Sequence, residues 1–555
     1  MSGILDIGTR ALKANQLALQ TAGNNIANVN TPNYSRQSVV VKNVAGQFSG
    51  TGYYGKGVEV ITVQRNHSEF LTRQAAQSSS ISAADTKRLE QLTQLEDIFQ
   101  GGPTGIGASV SNMLNSFSDV ASAPTDLAAR SVALSLADEM AARFRSASSR
   151  LNDLHNGVAV QLKDEVAVVN SLTGRIAAAN ETIARALGTG QSPNDLLDQR
   201  DQLIAELNLH IQTSSVTADD GSVTIFAASS QPLVLGTVAR ALTLSADAFS
   251  DPSKTKLTMQ NGADTIPLEE STLGGGQIAG LLRFQNTDLV DAANLLGRMA
   301  LSISTVMNDQ HKLGFDLSGT QGTDLFASSP IPAAAAASTN TGTAALTVSI
   351  QTPASSGAPQ LVASNYEINF TTGSAGTLTR VSDGQVTSFN STASPITIDG
   401  LSIAVGTGMA AGNRFLITPY SAAAKDLKVI QSSPAKLAMA MPVSGQTTYL
   451  DTNSGNAQAM MALRDLALFD GAATSDGFAS AMAEIGVRVQ SATYTAAVSK
   501  SIATNIETDR TSVSGVNLDE EAAKLLQFQQ SYQACAKMLQ ISQSIFDTLI
   551  QTITR

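Results

Sequence analysis

The 555-residue chain has no tryptophan and a single cysteine. With only Cys535 available, no internal disulfide can form. That cysteine falls in an apolar seven-residue repeat, which marks it as a small packed hydrophobe rather than a nucleophile. Aromatic residues make up 5% of the chain. Its cores must therefore be built from Ala, Leu, Ile and Val, on helices that approach closely. No run of about 18 apolar residues occurs, so membrane insertion is not expected. The first residues do not read as a secretory signal, because Asp6, Arg10 and Lys13 interrupt their apolar positions. The expectation is a chain that stays cytoplasmic or is exported without a cleaved signal peptide. Positive charge is in short supply: 35 Lys and Arg against 46 Asp and Glu give a net charge of −11. This argues against nucleic acid, whose binding needs a basic face, and gives no attraction to anionic lipid.

What the chain does have is the same signal at both ends. Leu5, Leu12, Leu19 and Ile26 fall seven residues apart. Leu518, Leu525, Tyr532, Leu539, Phe546 and Ile553 do so near the other end, with Phe528, Cys535 and Leu549 partly filling a second seam. A strict heptad marks helices that bury a narrow stripe against another helix and supercoil left-handed. Each such helix needs a partner, so the ends are expected to pair and then to assemble. Leu5, Leu12, Leu19 and Ile26 from one end, with Leu525, Phe528, Tyr532, Leu539, Phe546 and Leu549 from the other, are the candidate assembly interface.

Between the ends the pattern alternates between helix and strand. Helix is expected over residues 2–28, ending before Pro32, which disfavours helix in the residue before it. Alternating runs at Ser38 to Lys42 and Val58 to Val63 suggest a β-hairpin. Residues 68–209 read as helical, with extended helices side by side from Arg130 to Ala186. Short strands follow across 213–275, then a helix from about Ile278 to Leu313. After an Ala-, Ser- and Thr-rich linker, residues 345–419 read as short strands with regular turns. Helix returns from about Ala457, and Asn517 with Glu520 three residues later is expected to cap the last one.

The fold class expected is α+β multidomain, with a terminal coiled coil, a long-helix bundle core and inserted antiparallel β domains. The expected divisions are residues 1–35 with 515–555 for the terminal domain and 36–67 for a hairpin linker. The helical core takes 68–212 with 276–330 and 455–514. A small β-rich subdomain takes 213–275, and an inserted β domain with flanking linkers takes 331–454.

Signals for chemistry are weak. Gly50 to Lys56 fits the first seven positions of a phosphate-binding loop, but Gly57 stands where Ser or Thr would hold Mg²⁺, and strands flank it on both sides. A glycine-rich hairpin turn is the better reading. His67, His155, His210 and His311 lie too far apart in sequence to suggest a metal site or a catalytic triad. Asp195, Asp198 and Asp201 recur every three residues, and such a row is more often a solvated or salt-bridged helix face than an acid–base pair. No catalytic, cofactor-binding or metal residue is assigned.

The segment Ala22-Gly-Asn-Asn-Ile-Ala-Asn-Val-Asn-Thr-Pro-Asn-Tyr34 resembles the N-terminal signature of bacterial flagellar rod, hook and hook-associated proteins. Asn24, Asn25, Ile26, Ala27, Asn28, Thr31, Pro32 and Tyr34 carry the match. Asn33 stands where related proteins often have Gly, a place Asn tolerates because it accepts left-handed backbone. Leu196 to Leu203, Gly274 to Phe284, Met307 to Asp316 and Gly515 to Ile553 resemble segments of the hook-associated protein 1 family. The resemblance implies a structural protein with no cofactor and no enzymatic activity, located in the extracellular flagellum. It implies export through the type III channel and a ring of copies at the distal hook end. The implied partners are hook subunits, a second junction protein that leads to the filament, and an export chaperone on the C-terminal helix. The alternatives are another axial component such as the hook subunit or a flagellin, an axial protein carrying a cell-wall hydrolase, and an adhesin or immune-recognised module in 345–420.

Overall fold

The computed structural model describes all residues except 1, 49, 51, 100, 189–191, 342–343, 352–359, 391–394, 443–451, 470 and 555. Thr51 of the glycine-rich turn, and parts of the expected linkers and β insertion, lie outside the described residues.

The chain opens with helix α1 (Ser2–Ala27) and closes with α11 (Leu518–Ile553), and the two pack against each other. After α1 come β1 (Gln37–Asn43), β2 (Gln47–Phe48), β3 (Tyr53–Tyr54) and β4 (Val58–Arg65). β1 pairs antiparallel with β4, and β2 with β3, so one ribbon runs out and back.

The helical core follows. α2 (Glu69–Ile98) is capped by Ser68, whose hydroxyl accepts from the Leu71 amide. α3 (Ile106–Ser122) leads to α4 (Leu127–Leu187), whose first turn is capped by Asp126. Where the sequence suggests several helices, the structure has one of 61 residues, about 90 Å long at 1.5 Å per residue. Its buried face repeats Ala133, Ala137, Met140, Phe144, Ala147 and Leu151, then Val158, Leu162, Val169 and Ile176. α5 (Asn194–His210) returns along it.

Residues 213–268 form two antiparallel sheets, of four and three strands, docked on the second half of α4. Two asparagines on α4 fasten them. Asn180 bonds the Val223 amide and carbonyl and the Gly236 carbonyl, and Asn170 does the same for both groups of Leu242.

The single helix expected from Ile278 to Leu313 is interrupted. α6 (Gln277–Arg283) passes through one π turn, Phe284–Asp288, into α7 (Leu289–Lys312). Asp288, buried in that turn, takes a two-point contact from Arg88 at 2.8 and 2.9 Å and lies 3.7 Å from Arg488. A widened turn of this kind redirects the residues that follow it, and here it sits where three helices exchange charge. α6 meets α2 almost backbone to backbone: a Cβ on Gly280 would lie 2.3 Å from the Ala84 carbonyl oxygen. Gly280→Ala is therefore expected to destabilise the core by about 1–3 kcal/mol through overpacking. A chemical-denaturation curve with a lower midpoint and unchanged slope would record this.

The insertion is an antiparallel five-stranded sheet that includes Tyr366–Phe370 and Arg414–Ile417, with a three-stranded sheet built on Leu346–Ile350 and Leu401–Val405. Phe370 packs edge-on to both Phe389 and Phe415 at its centre. The chain returns through α8 (Ala423–Asp426) and α9 (Gly455–Ala462) to α10 (Thr474–Ser514), which lies antiparallel along α2.

His311, on the last turn of α7, ties this return to the core. Its Nδ1 faces the Thr323 carbonyl at 2.5 Å, and its Nε2 accepts from the Ala438 amide at 2.9 Å. Only the neutral ring can make both bonds, and burial pushes its pKa below the ordinary 6.5. The unfolded chain therefore binds the proton more readily than the native one. This contribution to stability is complete above about pH 6.5 and is lost as pH falls toward the depressed native value. The stability advantage of wild type over His311→Gln is expected to shrink between about pH 7 and 5, as read by thermal melts across that range.

Candidate assembly site at the root of the terminal helices

α1 and α11 run antiparallel. A Cβ on Gly8 would sit 2.7 Å from Leu539 Cδ2, Asn15 Nδ2 lies 3.6 Å from Cys535 Sγ, and Asn25 Nδ2 donates to Glu521 at 2.9 Å. The buried face of α1 is small or polar: Gly8, Ala14, Ala18, Thr21, Ala22 and Asn25. Against it α11 sets larger side chains, with Leu525, Phe528, Tyr532 and Leu539 half-buried. The heptad stripe of α1 lies beside this small-residue face. Leu5, Leu12, Leu19 and Ile26 are half-buried and flank the contact rather than forming its centre. The reason is steric: small residues let two helices come close, and the bulky repeat is displaced to the shoulders. Phe546 and Leu549 are exposed, because α11 continues past the start of α1.

At the other end of this pair the signature residues build a closed polar knot. Asn25 is 1% exposed. Its amide donates to Glu521 and to the Gln37 carbonyl, each at 2.9 Å. Its oxygen accepts from the Gln37 amide at 2.9 Å and from the Tyr34 hydroxyl at 3.0 Å. All the capacity of this side chain is used, as a buried amide requires. Burial, then the charges of Asp195, Asp198 and Glu521, push the Tyr34 pKa up to about 12, so the hydroxyl remains a donor. Asn28 folds back on Asn24, and Thr31 donates to Asn28. Asn33 adopts φ +58°, the left-handed backbone that the turn requires. Ile26 is half-buried, while Ala27 and Pro32 are exposed.

The knot is joined to the core on two sides. On α5, Asp198 accepts from the Ser35 amide at 3.0 Å and from Arg65 at 2.9 Å, and Asp201 takes Arg65 at 2.6 Å. Asp195 accepts from Gln37 at 3.2 Å. The acidic row is therefore an ion-paired face. Burial works against the Arg65 charge, but Asp201 and Asp198 outweigh it and hold its pKa above the ordinary guanidinium value. On the helical side, Arg36 meets Glu520 at 3.2 Å and Glu521 at 3.1 Å, and its amide donates to the Ser514 carbonyl. Arg510 reaches Asn33. Sequence reasoning singled out the signature and the acidic row but missed Ser35, Arg36, Gln37, Arg65 and Arg510. The contacts of Arg36 and Arg510 cross more than 470 positions of chain, which no local pattern encodes.

The cleft of about 1050 Å³ beside the knot is lined by Arg65, His67, Asp201, Glu507 and Arg510, but Asp201 is tied to Arg65 and Glu507 to Arg510. Burial, then the Arg65 charge, push the His67 pKa down. Among the described residues no group of three or more His, Cys, Asp or Glu could hold a metal, and no helix is long and apolar enough to cross a membrane. The site fastens the helical pair to the core at one end and leaves apolar side chains of α11 exposed at the other.

Comparisons with known proteins agree with this geometry. A sequence model of the flagella basal body rod protein matches residues 5–34, and one of the flagellar basal body rod FlgEFG protein C-terminal region matches 509–552. Those two spans cover the paired helices and the signature loop at their root, and the class they point to is an axial protein of the bacterial flagellum. The flagellar hook-associated protein FlgK helical domain matches residues 92–326, and the D2-like domain of flagellar hook-associated protein 1 matches 335–419. Flagellar hook-associated protein 1 of Salmonella typhimurium is 31% identical over 99% of this chain and 100% of its own length. Its counterpart in Bacillus subtilis is 26% identical over 98% of this chain and 97% of its own length. The solved flagellar hook junction protein FlgK from Burkholderia pseudomallei shares the fold, with a TM-score of 0.72 at 23% identity, over 80% of this chain and all of that one. The chain belongs to the flagellar hook-associated protein 1 family, whose members are structural proteins of the flagellum.

Proposed function

We propose that this protein joins hook to filament in the bacterial flagellum, as a ring of identical copies at the distal end of the hook. One observation carries the reading. The knot fixes the root of the α1–α11 pair, while Ile541, Ile545, Phe546, Leu549, Ile550 and Ile553 stay exposed at its far end. Covering one large apolar side chain contributes roughly 1.5–3 kcal/mol, so a few such positions outweigh the cost of ordering the final turns. Assembly completes the helical pair. The long helices α2, α4 and α10 carry load between neighbours, and the β domains face outward.

In this reading the chain passes the type III channel unfolded, which the absence of disulfides permits. A chaperone covers the apolar face of α11 before export. Hook subunits lie on one side of the ring, and a second junction protein, leading to the filament, lies on the other. The protein performs no catalysis. Electron microscopy of a strain lacking the gene tests the proposal. Hooks without filaments, with flagellin released to the medium, are expected. Normal filaments on those hooks would overturn it, and loss of the hooks themselves would point to the hook subunit instead.

A further inference from the structure

The ribbon after α1 ends in an aromatic tip that the junction reading does not use. Phe48 is 62% exposed and Tyr53 82%, with their rings 5.4 Å apart. Residues 43–55 contain no charged side chain. Exposed aromatic pairs without charge around them are a feature of interaction surfaces.

The backbone shows where this tip lies. Gln37, at the start of β1, bonds Asn25 near the end of α1. A Cβ on Gly57, just before β4, would lie 3.3 Å from Ile7 Cγ2 near its beginning. The β1–β4 ribbon therefore runs back along α1, and β2 and β3 continue from its far end. α11 overshoots in the same direction. With Gly8 opposite Leu539, its last turns extend beyond the start of α1, and Ile553 is 77% exposed. That overhang is also nearly free of charge, with Asp547 alone among residues 541–553.

Two apolar features, one without charge and one with Asp547 alone, thus lie toward the same end of the helical pair. The lengths identify what covers them. α1 has 26 residues and α11 has 36, so α1 cannot reach the final turns. The tip of the same chain does not cover them either, because both remain exposed. We infer that the aromatic tip, Phe48 and Tyr53, docks on the overhanging turns of α11, Ile545 to Ile553, in a second copy of this chain. Tip and overhang both lie toward the same end of the pair. A contact between the tip of one copy and the overhang of the next is head-to-tail, and such contacts close into a ring where the rotation between copies closes. The inference rests on the ring reading above and supplies it with a specific contact.

Cross-linking in intact flagella tests it. In a Cys535→Ser background, Tyr53→Cys is combined with Ile545→Cys, Leu549→Cys or Ile553→Cys and the flagella are oxidised. A ladder of disulfide-linked dimers and higher multimers is expected for at least one pair, and from neither single cysteine alone. Cross-links confined to monomers, or no ladder from any pair while filaments are present, overturn the assignment. A second variant, Phe48→Ser with Tyr53→Ser, is expected to melt like wild type as a monomer and to reduce filaments per cell at least tenfold. Full filament number in that variant sinks the docking contact alone, whereas filaments on the strain lacking the gene sink the junction reading itself.

Discussion

Leu539→Asp is expected to abolish filaments while leaving the core of the protein folded. Leu539 fills the space that the absent side chain of Gly8 leaves open, and it is half-buried there. An aspartate removes that packing and brings a carboxylate against the backbone of α1 at Gly8. Losing a buried leucine costs about 2–5 kcal/mol, and a half-covered one costs part of that, to which desolvation of the charge adds. Two helices joined over such a narrow contact have little stability to lose. Among the described residues, none of α1 or α11 belongs to the hydrophobic core cluster around α4 and α7. Thermal unfolding followed by circular dichroism should therefore keep its main transition, while filament counts by electron microscopy fall to the level of the deletion strain. Wild-type filament number would show that the seam is dispensable.

The second large effect is expected at Asn25. Asn25→Ala leaves both backbone groups of Gln37 and the Tyr34 hydroxyl without the partner they bond, and removes one of three bonds to Glu521, which keeps Arg36 and Lys524. Each stranded group costs about 1–3 kcal/mol, and more where charge is involved. Water entering the opened knot recovers some of this, but only by loosening the loop at 28–37 from the helices on either side. The expected result is cleavage of that loop by a nonspecific protease at least tenfold faster than in wild type, with the core fragment intact. An unchanged cleavage rate would mean that the ion pairs of Arg36 and Arg65 hold the root unaided.

Both variants concern contacts that the sequence reveals unequally. The heptads at the two ends are legible because large apolar residues repeat visibly. The pairing face of α1 is not, because it is written in Gly8, Ala14, Ala18 and Ala22, which carry little hydropathy. The strands from Val223 to Ala227 and from Tyr366 to Phe370 are legible from alternation, and their burial alternates as that pattern requires. The π turn at Phe284–Asp288 has no such signature. It is fixed by Arg88 and Arg488, which arrive from other parts of the chain. The signature around Asn25 stands out as a string of residues, but its partner Glu521 lies 496 positions away and reads locally only as a helix-dipole residue.

The chain enters and leaves the β insertion side by side. The Ala327 amide donates to the Lys428 carbonyl at 2.8 Å, and the Ile430 amide to the Leu325 carbonyl at 3.0 Å. The two stems are zipped together before the module begins, so the scaffold holds its own doorway shut whatever lies beyond it. A foreign module of any size whose ends lie close together, or a plain short turn, can hang from that hinge post. This makes the position suited to grafted cargo, because the stem bonds are backbone to backbone and do not depend on the side chains of the module.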